Sequence, residues 1–446
     1  MPKTKLVIII FLSTFIGFFS AISVAQINGN KFKGAQSSSN KYSDNFINEV
    51  LEKVKTDYVD EKSEDQLYES AVSGILSSLD PHSSFLNAED LKEMSVHTKG
   101  EFGGVGIEIT TEMSVAKAVS AIDDTPAHKA GIMPGDYIIR IDGKSTYSMK
   151  IDEVVKKIRG KPNTPVKLTI FRKGEKEPIE KTIFRKIIKI KPIKANRFND
   201  VAYIKITTFS EQTFENLQAE IIKLKKQIGE KNIKGLVLDL RNNPGGLLDQ
   251  AIEVSASFLN KNKTVVSIKG RSGTIKEYQT DQDEKLVPNL PIVVLINEGS
   301  ASASEIVAGA LQDHSRAVIM GAKSFGKGSV QTVIPLDDSN GAIKMTTALY
   351  YTPSGRSIQA MGIQPDIELT QASIEKIKNI DKESEADLKG HIELNIRDAI
   401  EKSAKSTDSK LKIADENIDI YQKDYQLARA LDLIRGIGLY NSIIKK

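Results

Sequence analysis

The chain has no cysteine and only five histidines in 446 residues. The first absence excludes disulfide frameworks, thiol nucleophiles and lipid-modified cysteine anchors. The second leaves little for a metal site or an imidazole base: His82, His97, His128, His314 and His391 are scattered, with neither an HExxH motif nor paired-ligand spacing. No metal and no cofactor is expected. An excess of charge of one sign is also lacking. The 62 basic and 58 acidic residues run along the whole length, so the formal +4 forms no concentrated footprint for nucleic acid.

The amino terminus reads as an export segment. Residues 1–25 carry Lys3 and Lys5, an apolar stretch over 6–19, then Ser23-Val24-Ala25 in the small-x-small pattern of signal peptidase sites. The expected location is the periplasm or the extracytoplasmic face of the inner membrane. Membrane contact is expected only through that segment if it stays uncleaved. Residues 26–40 are polar and rich in Gly, Ser and Asn, as in a linker.

Three patterns follow. Phe46, Val50 and Val54 recur every four residues, and Ser63-x-x-Gln66 opens a second segment with Leu67, Ala71 and Ile75 on one face, closed by Asp80-Pro81. From about Gly100 short β-rich runs predict strands over 105–110, 115–119, 137–141 and 166–171, with short helices over 126–130 and 151–159. Beyond Lys186 strand and helix alternate: strands over 201–208, 235–240 and 290–296, helices over 215–227, 246–258 and 305–311. That alternation predicts a largely parallel α/β core with reactive loops at strand carboxyl ends. Near the carboxyl terminus, Leu427, Leu431 and Ile434 form an apolar stripe that needs a docking surface.

With thiols absent and imidazoles scarce, Ser302 and Lys327, twenty-five residues apart, stand out. A serine hydroxyl is a weak nucleophile until a base takes its proton, and a lysine serves once burial lowers its pKa. Strand, sharp turn and helix would put Ser302 at a helix amino terminus, where Ala303 N–H can face an oxyanion. A second donor is expected from the glycines of Arg241-Asn-Asn-Pro-Gly-Gly246, either Gly245 or Gly246. Gln331 in a strand would share a side with Lys327 and orient its amine. Asp313, three turns along the helix, would hydrogen-bond near the lysine or hold a loop. Each signal has a plainer reading: Ser302-Ala-Ser-Glu305 has the form of a capping box, and Gly326-Lys327-Gly328 that of an exposed turn. Gly321–Gly328 approaches a phosphate-binding loop but lacks the Ser or Thr for magnesium and continues as a strand, against that reading.

Gly103-Gly-Val-Gly-Ile107 leads into an alternating strand, a pattern able to present the amides of Gly104, Val105, Gly106 and Ile107 to a terminal carboxylate while a peptide adds as an extra strand. Together with Pro134-Gly-Asp136 and the strand after it, this segment resembles a PDZ domain.

With Leu79-Asp-Pro-His-Ser83, Leu240–Gly246, Gly299–Glu305, Phe325–Gly328 with Gln331, and Tyr351–Arg356 added, the chain resembles the carboxy-terminal processing (tail-specific) proteases, serine endopeptidases with a PDZ domain. The resemblance implies a multidomain α+β fold, with an α/β, crotonase-like protease core of ββα repeats, an inserted PDZ β-sandwich and helical terminal regions. It divides the chain into an export segment 1–25, a linker 26–40, a helical region 41–96, a PDZ domain 97–187, a protease core 188–370 and a helical end 371–446. It also implies a catalytic set of Ser302, Lys327, Gln331 and, least firmly, Asp313, with Ala303 and Gly245 or Gly246 as oxyanion donors. ATP-independent cleavage of proteins bearing apolar C-terminal tails through an acyl-enzyme is the expected activity, and the PDZ module is expected to gate access to the serine. Because some members of the family use helical ends to dimerise or to recruit a lipoprotein adaptor, the resemblance also implies a homodimer or such an adaptor as candidate partners. The alternative is a non-catalytic PDZ scaffold.

Overall fold

The computed structural model describes residues 45–122, 124–273, 275–282, 285–288, 290–336, 341–373, 388–389 and 423–444. The expected export segment and linker, and most of the expected helical end, lie outside them. Two compact units emerge: one from the described parts of Met1–Ala88, Pro192–Phe209 and Thr213–Lys446, the other from Glu89–Lys191 with Ser210–Gln212.

The first unit is built on a six-stranded sheet ordered Ile193–Phe198, Val201–Ile206, Gly235–Asp239, Ile292–Ile296, Val318–Gly321, Ile367–Glu368. All pairings are parallel except the first. Parallel strands need both faces covered, which explains why their sequences are almost continuously apolar. The alternation inside those runs sorts the faces. Leu236, Leu238, Ile292, Val294 and Ile296 face helices Thr213–Ile228, Leu248–Ala256 and Ala303–Asp313 in the main core. Val237, Val293 and Leu295 form a second core with Leu427, Ala430, Leu431 and Ile434 of the helix Tyr425–Ile444. The carboxy-terminal stripe therefore docks on the far face of the sheet.

A second sheet in this unit centres on the long strand Ala342–Tyr351, which pairs antiparallel with Ser84–Leu86, Thr264–Gly270 and Ser329–Pro335. Alternation alone did not identify Ala342–Tyr351, whose polar stretch Lys344-Met-Thr-Thr347 hides its period. At the amino end, helix Glu64–Ser77 starts as expected, with Ser63 Oγ accepting Gln66 N–H at 3.3 Å. Its inward residue differs from the expected face: Leu76 is buried and Ile75 exposed.

The other unit is a sheet of Ile107–Glu112, Val115–Ala121, Tyr137–Ile141, Pro165–Phe171 and Ile179–Phe184, with helix Ile151–Ile158 packed on the first and third of these strands. Its core includes Val105, Ala118, Ile138, Val154, Leu168 and Ile170. The expected turn at Pro134–Asp136 is pinned by a buried carboxylate: Asp136 accepts Met133 N–H at 2.8 Å and pairs with Arg172 at 2.7 Å.

Candidate active site

Ser302 ends the loop between strand Ile292–Ile296 and helix Ala303–Asp313. It is the N-cap, with φ 54° and ψ −112°, a region that a non-glycine residue occupies only when surrounding structure holds it there. The neighbours are Asn243 and Glu305. Asn243 carbonyl oxygen accepts Ala301 N–H and Ser304 Oγ–H, both at 3.0 Å. The Glu305 carboxylate accepts Ser302 N–H at 2.8 Å. Although the residues stand at capping-box positions, the box is half used: Glu305 N–H donates to the Ser302 carbonyl oxygen at 2.8 Å, and the buried Ser302 hydroxyl has no hydrogen-bond partner among the described residues. A serine whose only task was to start a helix would spend that hydroxyl on the cap.

Lys327 lies in a glycine-flanked loop just before strand Ser329–Pro335 and is 2% exposed. Burial pushes its amine down to about 8, with the charge of Lys344 acting the same way and those of Glu305 and Asp80 opposing. Its loop is narrow: a Cβ on Gly328 would sit 2.3 Å from Gln359 N. Glu305 also holds this loop. Its Oε1 accepts Ser324 Oγ–H at 2.6 Å and Gly326 N–H at 2.7 Å, and its Oε2 accepts Lys327 N–H at 2.9 Å. Burial raises the Glu305 pKa, while these hydrogen bonds and that of Ser302 pull it down.

Two backbone N–H groups, one next to the serine and one in the glycine turn that meets it, have no acceptor among the described residues. Ala303, the first helical residue, has no acceptor among the described residues for its amide. Gly245, at φ 102°, leaves that amide uncovered, since a Cβ there would sit 3.0 Å from Ala303 N and 2.9 Å from Ser302 Cβ. The expectation of Gly245 itself as donor is corrected by its bond: Gly245 N–H already donates to Asn243 Oδ1 at 2.9 Å. Phe209 N–H reaches Gly245 O and Leu247 N–H reaches Phe209 O, leaving Gly246 N–H as the one of the pair with no acceptor among the described residues.

The model of peptidase family S41 matches residues 200–369, and a PDZ domain model matches 118–172. A carboxy-terminal-processing protease of Bartonella bacilliformis is 48% identical over 390 residues, 87% of either chain. The chain belongs to this family of S41 serine proteases. Carboxy-terminal processing protease CtpA of Bacillus subtilis is 35% identical, over 80% of this chain and 75% of its own. Among solved structures, the photosystem II D1 C-terminal processing protease aligns at 30% identity over 72% of this chain and 86% of its own, with a TM-score of 0.44.

In this protease Gln331 is fully buried on strand Ser329–Pro335. Its Nε2 donates to Ser329 Oγ at 3.0 Å and Thr346 Oγ1 at 2.9 Å, and its Oε1 has no partner among the described residues. Asp313, at the far end of the serine's helix, bonds with a loop: it accepts Ser354 N–H at 2.8 Å and pairs with Arg356. Of the two tasks the sequence left open for Asp313, holding a loop is the one its contacts perform. Burial works to raise its pKa, but hydrogen bonds from Thr352, Ser354 and Arg356 hold it below the usual carboxylate range. His314 Nε2 meets Thr264 O at 2.7 Å.

In the PDZ unit, Val105 O accepts Ala127 N–H and Gly106 O accepts Ile122 N–H, both at 2.9 Å. The carbonyls thus turn inward, and the amides of Val105 and Gly106 have no acceptor among the described residues.

Sequence reasoning missed two contributors. Glu305 was legible as a capping residue, not as the link to the lysine loop 22 residues on. His82 was scattered in sequence, yet it feels the Lys327 charge, which together with burial lowers its pKa. Only the Leu79–Ser83 motif hinted that this segment belongs to the site.

Proposed function

We propose that the protease cleaves through a Ser302–Lys327 dyad and an acyl-enzyme, without ATP, on proteins whose apolar C-terminal tails bind the PDZ unit. The observation that carries this reading is the buried Lys327 amine with its pKa near 8, in the same unit as a strained, unbonded serine hydroxyl. The neutral amine takes the Ser302 Oγ proton as oxygen attacks the scissile carbonyl, and the oxyanion is received by Ala303 N–H and Gly246 N–H. The ammonium then protonates the departing amine. Water, deprotonated by the same lysine, releases the acyl group and restores the hydroxyl. Gln331 Oε1 is the acceptor that steadies the amine. The tail carboxylate is read by the Val105 and Gly106 amides within the Gly104–Ile107 turn, and the peptide adds along strand Ile107–Glu112.

The export pattern of residues 1–25 supports work outside the cytoplasm, in the periplasm or at the outer face of the inner membrane. A fluorogenic peptide with an apolar tail tests the reading. Ser302→Ala is expected to abolish turnover and labelling by a fluorophosphonate while keeping tail binding; full turnover by the pure variant would sink it. Lys327→Arg is expected to be equally inactive, because a guanidinium stays charged.

A further inference from the structure

Arg241 opens the turn that carries the Gly246 amide, and its buried side chain is spent entirely on acceptors. Nε donates to Asp239 Oδ1 at 2.9 Å and Nη2 to Asp239 Oδ2 at 2.7 Å. On the outer side Nη1 donates to Asp424 Oδ1 at 2.8 Å and to Gln426 Oε1 at 3.0 Å, and Nη2 donates to Asp424 Oδ2 at 2.7 Å. These contacts use every N–H donor of the guanidinium. Asp239 alone would neutralise the cation, so Asp424, 183 positions further along the chain, supplies a second carboxylate that charge balance does not require. What it adds is direction, because the planar fork is now held from both sides.

The outer partners come from the start of the carboxy-terminal helix Tyr425–Ile444. Asp424 caps it: Oδ1 accepts Leu427 N–H at 3.1 Å and the carbonyl oxygen accepts Ala428 N–H at 3.0 Å. Gln426 is anchored in turn, its Nε2 donating to Leu369 O at 2.6 Å. Inward, the fork meets the active site through backbone. Asp239 Oδ1 also accepts Arg241 N–H at 2.9 Å, which fixes where the turn leaves strand Gly235–Asp239. Asn242 N–H then donates to Asn297 Oδ1 at 2.8 Å, and Asn243 O holds Ala301 and Ser304, before and after the serine. The serine's neighbours and the Gly246 amide are thus mounted on one turn whose first side chain is gripped by the carboxy-terminal helix.

We propose that Asp424 is a positioning residue for proteolysis: through the Arg241 fork it sets the turn 241–246 so that the Gly246 amide stands where the oxyanion forms. Asp239 Oδ1 takes both the Nε–H and the backbone N–H of Arg241. A guanidinium that tilts when its outer acceptors are lost therefore disturbs the first backbone bond of the turn as well. An oxyanion donor is effective only at hydrogen-bond distance from the developing charge, so a small displacement of the turn is felt in the chemical step. The carboxy-terminal helix is then part of the frame of the active site, besides covering the far face of the sheet. This role rests on the proposed Ser–Lys dyad and its oxyanion donors.

Asp424→Asn keeps the shape of the side chain and, since Asn caps helices as well as Asp, the helix start. Leu427, Ala430, Leu431 and Ile434 keep the helix docked, but one oxygen facing the fork becomes an NH2. On the tailed peptide kcat is expected to fall roughly tenfold or more, with KM changed less than about twofold because no tail contact is touched. Affinity for a peptide boronate, whose tetrahedral adduct needs the same amide, should fall in step, while the pH midpoint of kcat/KM stays in place because the lysine is untouched. Arg241→Lys should lose at least as much, since an ammonium cannot fill the fork, and adding Asp424→Asn to it should cost little more. Leu431→Ala, which hollows the docking core of the same helix, controls for stability: it should lower Tm more than Asp424→Asn does yet keep kcat within about twofold. Wild-type kcat in Asp424→Asn, or a loss that Leu431→Ala reproduces, beside an inactive Lys327→Ala, overturns the positioning role and leaves the dyad standing. An active Lys327→Ala overturns the dyad, and the positioning role with it.

Discussion

Ser302 and Lys327 hang from one oxygen: Glu305 Oε2 accepts the backbone N–H of the serine at 2.8 Å and that of the lysine at 2.9 Å. The side chains that would exchange a proton are thus mounted on two loops registered by a single buried carboxylate. Ser302 Oγ makes no hydrogen bond, to the lysine amine or to any other described residue. Catalytic hydrogen bonds commonly tighten only once substrate is bound.

Glu305→Gln tests this clamp. The amide has one oxygen for four donors and places its NH2 against N–H groups. The expected result is a fall in kcat on the order of 100-fold with tail binding unchanged; kinetics on a tailed peptide and titration of a non-cleavable one separate the two.

A lysine base at position 327 predicts the pH response. With its pKa lowered to about 8, kcat/KM should climb about tenfold per pH unit below that value and level off above it. A profile flat from pH 6 to 8 would contradict a lysine base.

The same burial strains the fold. The folded pKa is depressed from 10.5 to about 8, so the penalty of burying the cation is fully present below pH 8 and fades as pH rises toward 10.5. Lys327→Met is therefore expected to be inactive yet more stable near pH 7, by up to about 3 kcal/mol, with the gain shrinking at high pH. Chemical denaturation at pH 7 and 10 reads the difference.

Gly245→Ala should abolish turnover without touching any proposed side-chain role. The methyl would meet Ser302 Cβ at 2.9 Å and Ala301 O at 2.8 Å, at a φ of 102° that alanine rarely adopts. A loss of roughly 100-fold or more in acylation by a fluorophosphonate is expected, with the PDZ unit still binding tails.

Asp313→Ala separates loop support from proton transfer. It leaves Ser354 N–H and Arg356 without their acceptor, so a stability loss of about 1–3 kcal/mol is expected with kcat reduced less than about tenfold. A kcat fall as deep as that of Lys327→Ala at unchanged stability would return Asp313 to the reaction itself.

What the sequence by itself determined was what spacing along the chain encodes. Apolar runs in strand and helix periods foretold the parallel core, put Ser302 at a strand-to-helix turn, and left Leu427, Leu431 and Ile434 in need of a surface. The tertiary structure alone decided which amide stayed open, Gly246 rather than Gly245, because Asn243 Oδ1 claims the other. It also joined Thr346 to Ser83, whose Oγ accepts the Thr346 N–H at 3.2 Å, residues more than 260 positions apart, and turned Asp313 toward Arg356. Periodicity records which face of an element is buried, because one residue after another repeats it. The direction of a hydrogen bond and the desolvation of a charge depend on whichever groups folding brings alongside, and no local pattern carries them.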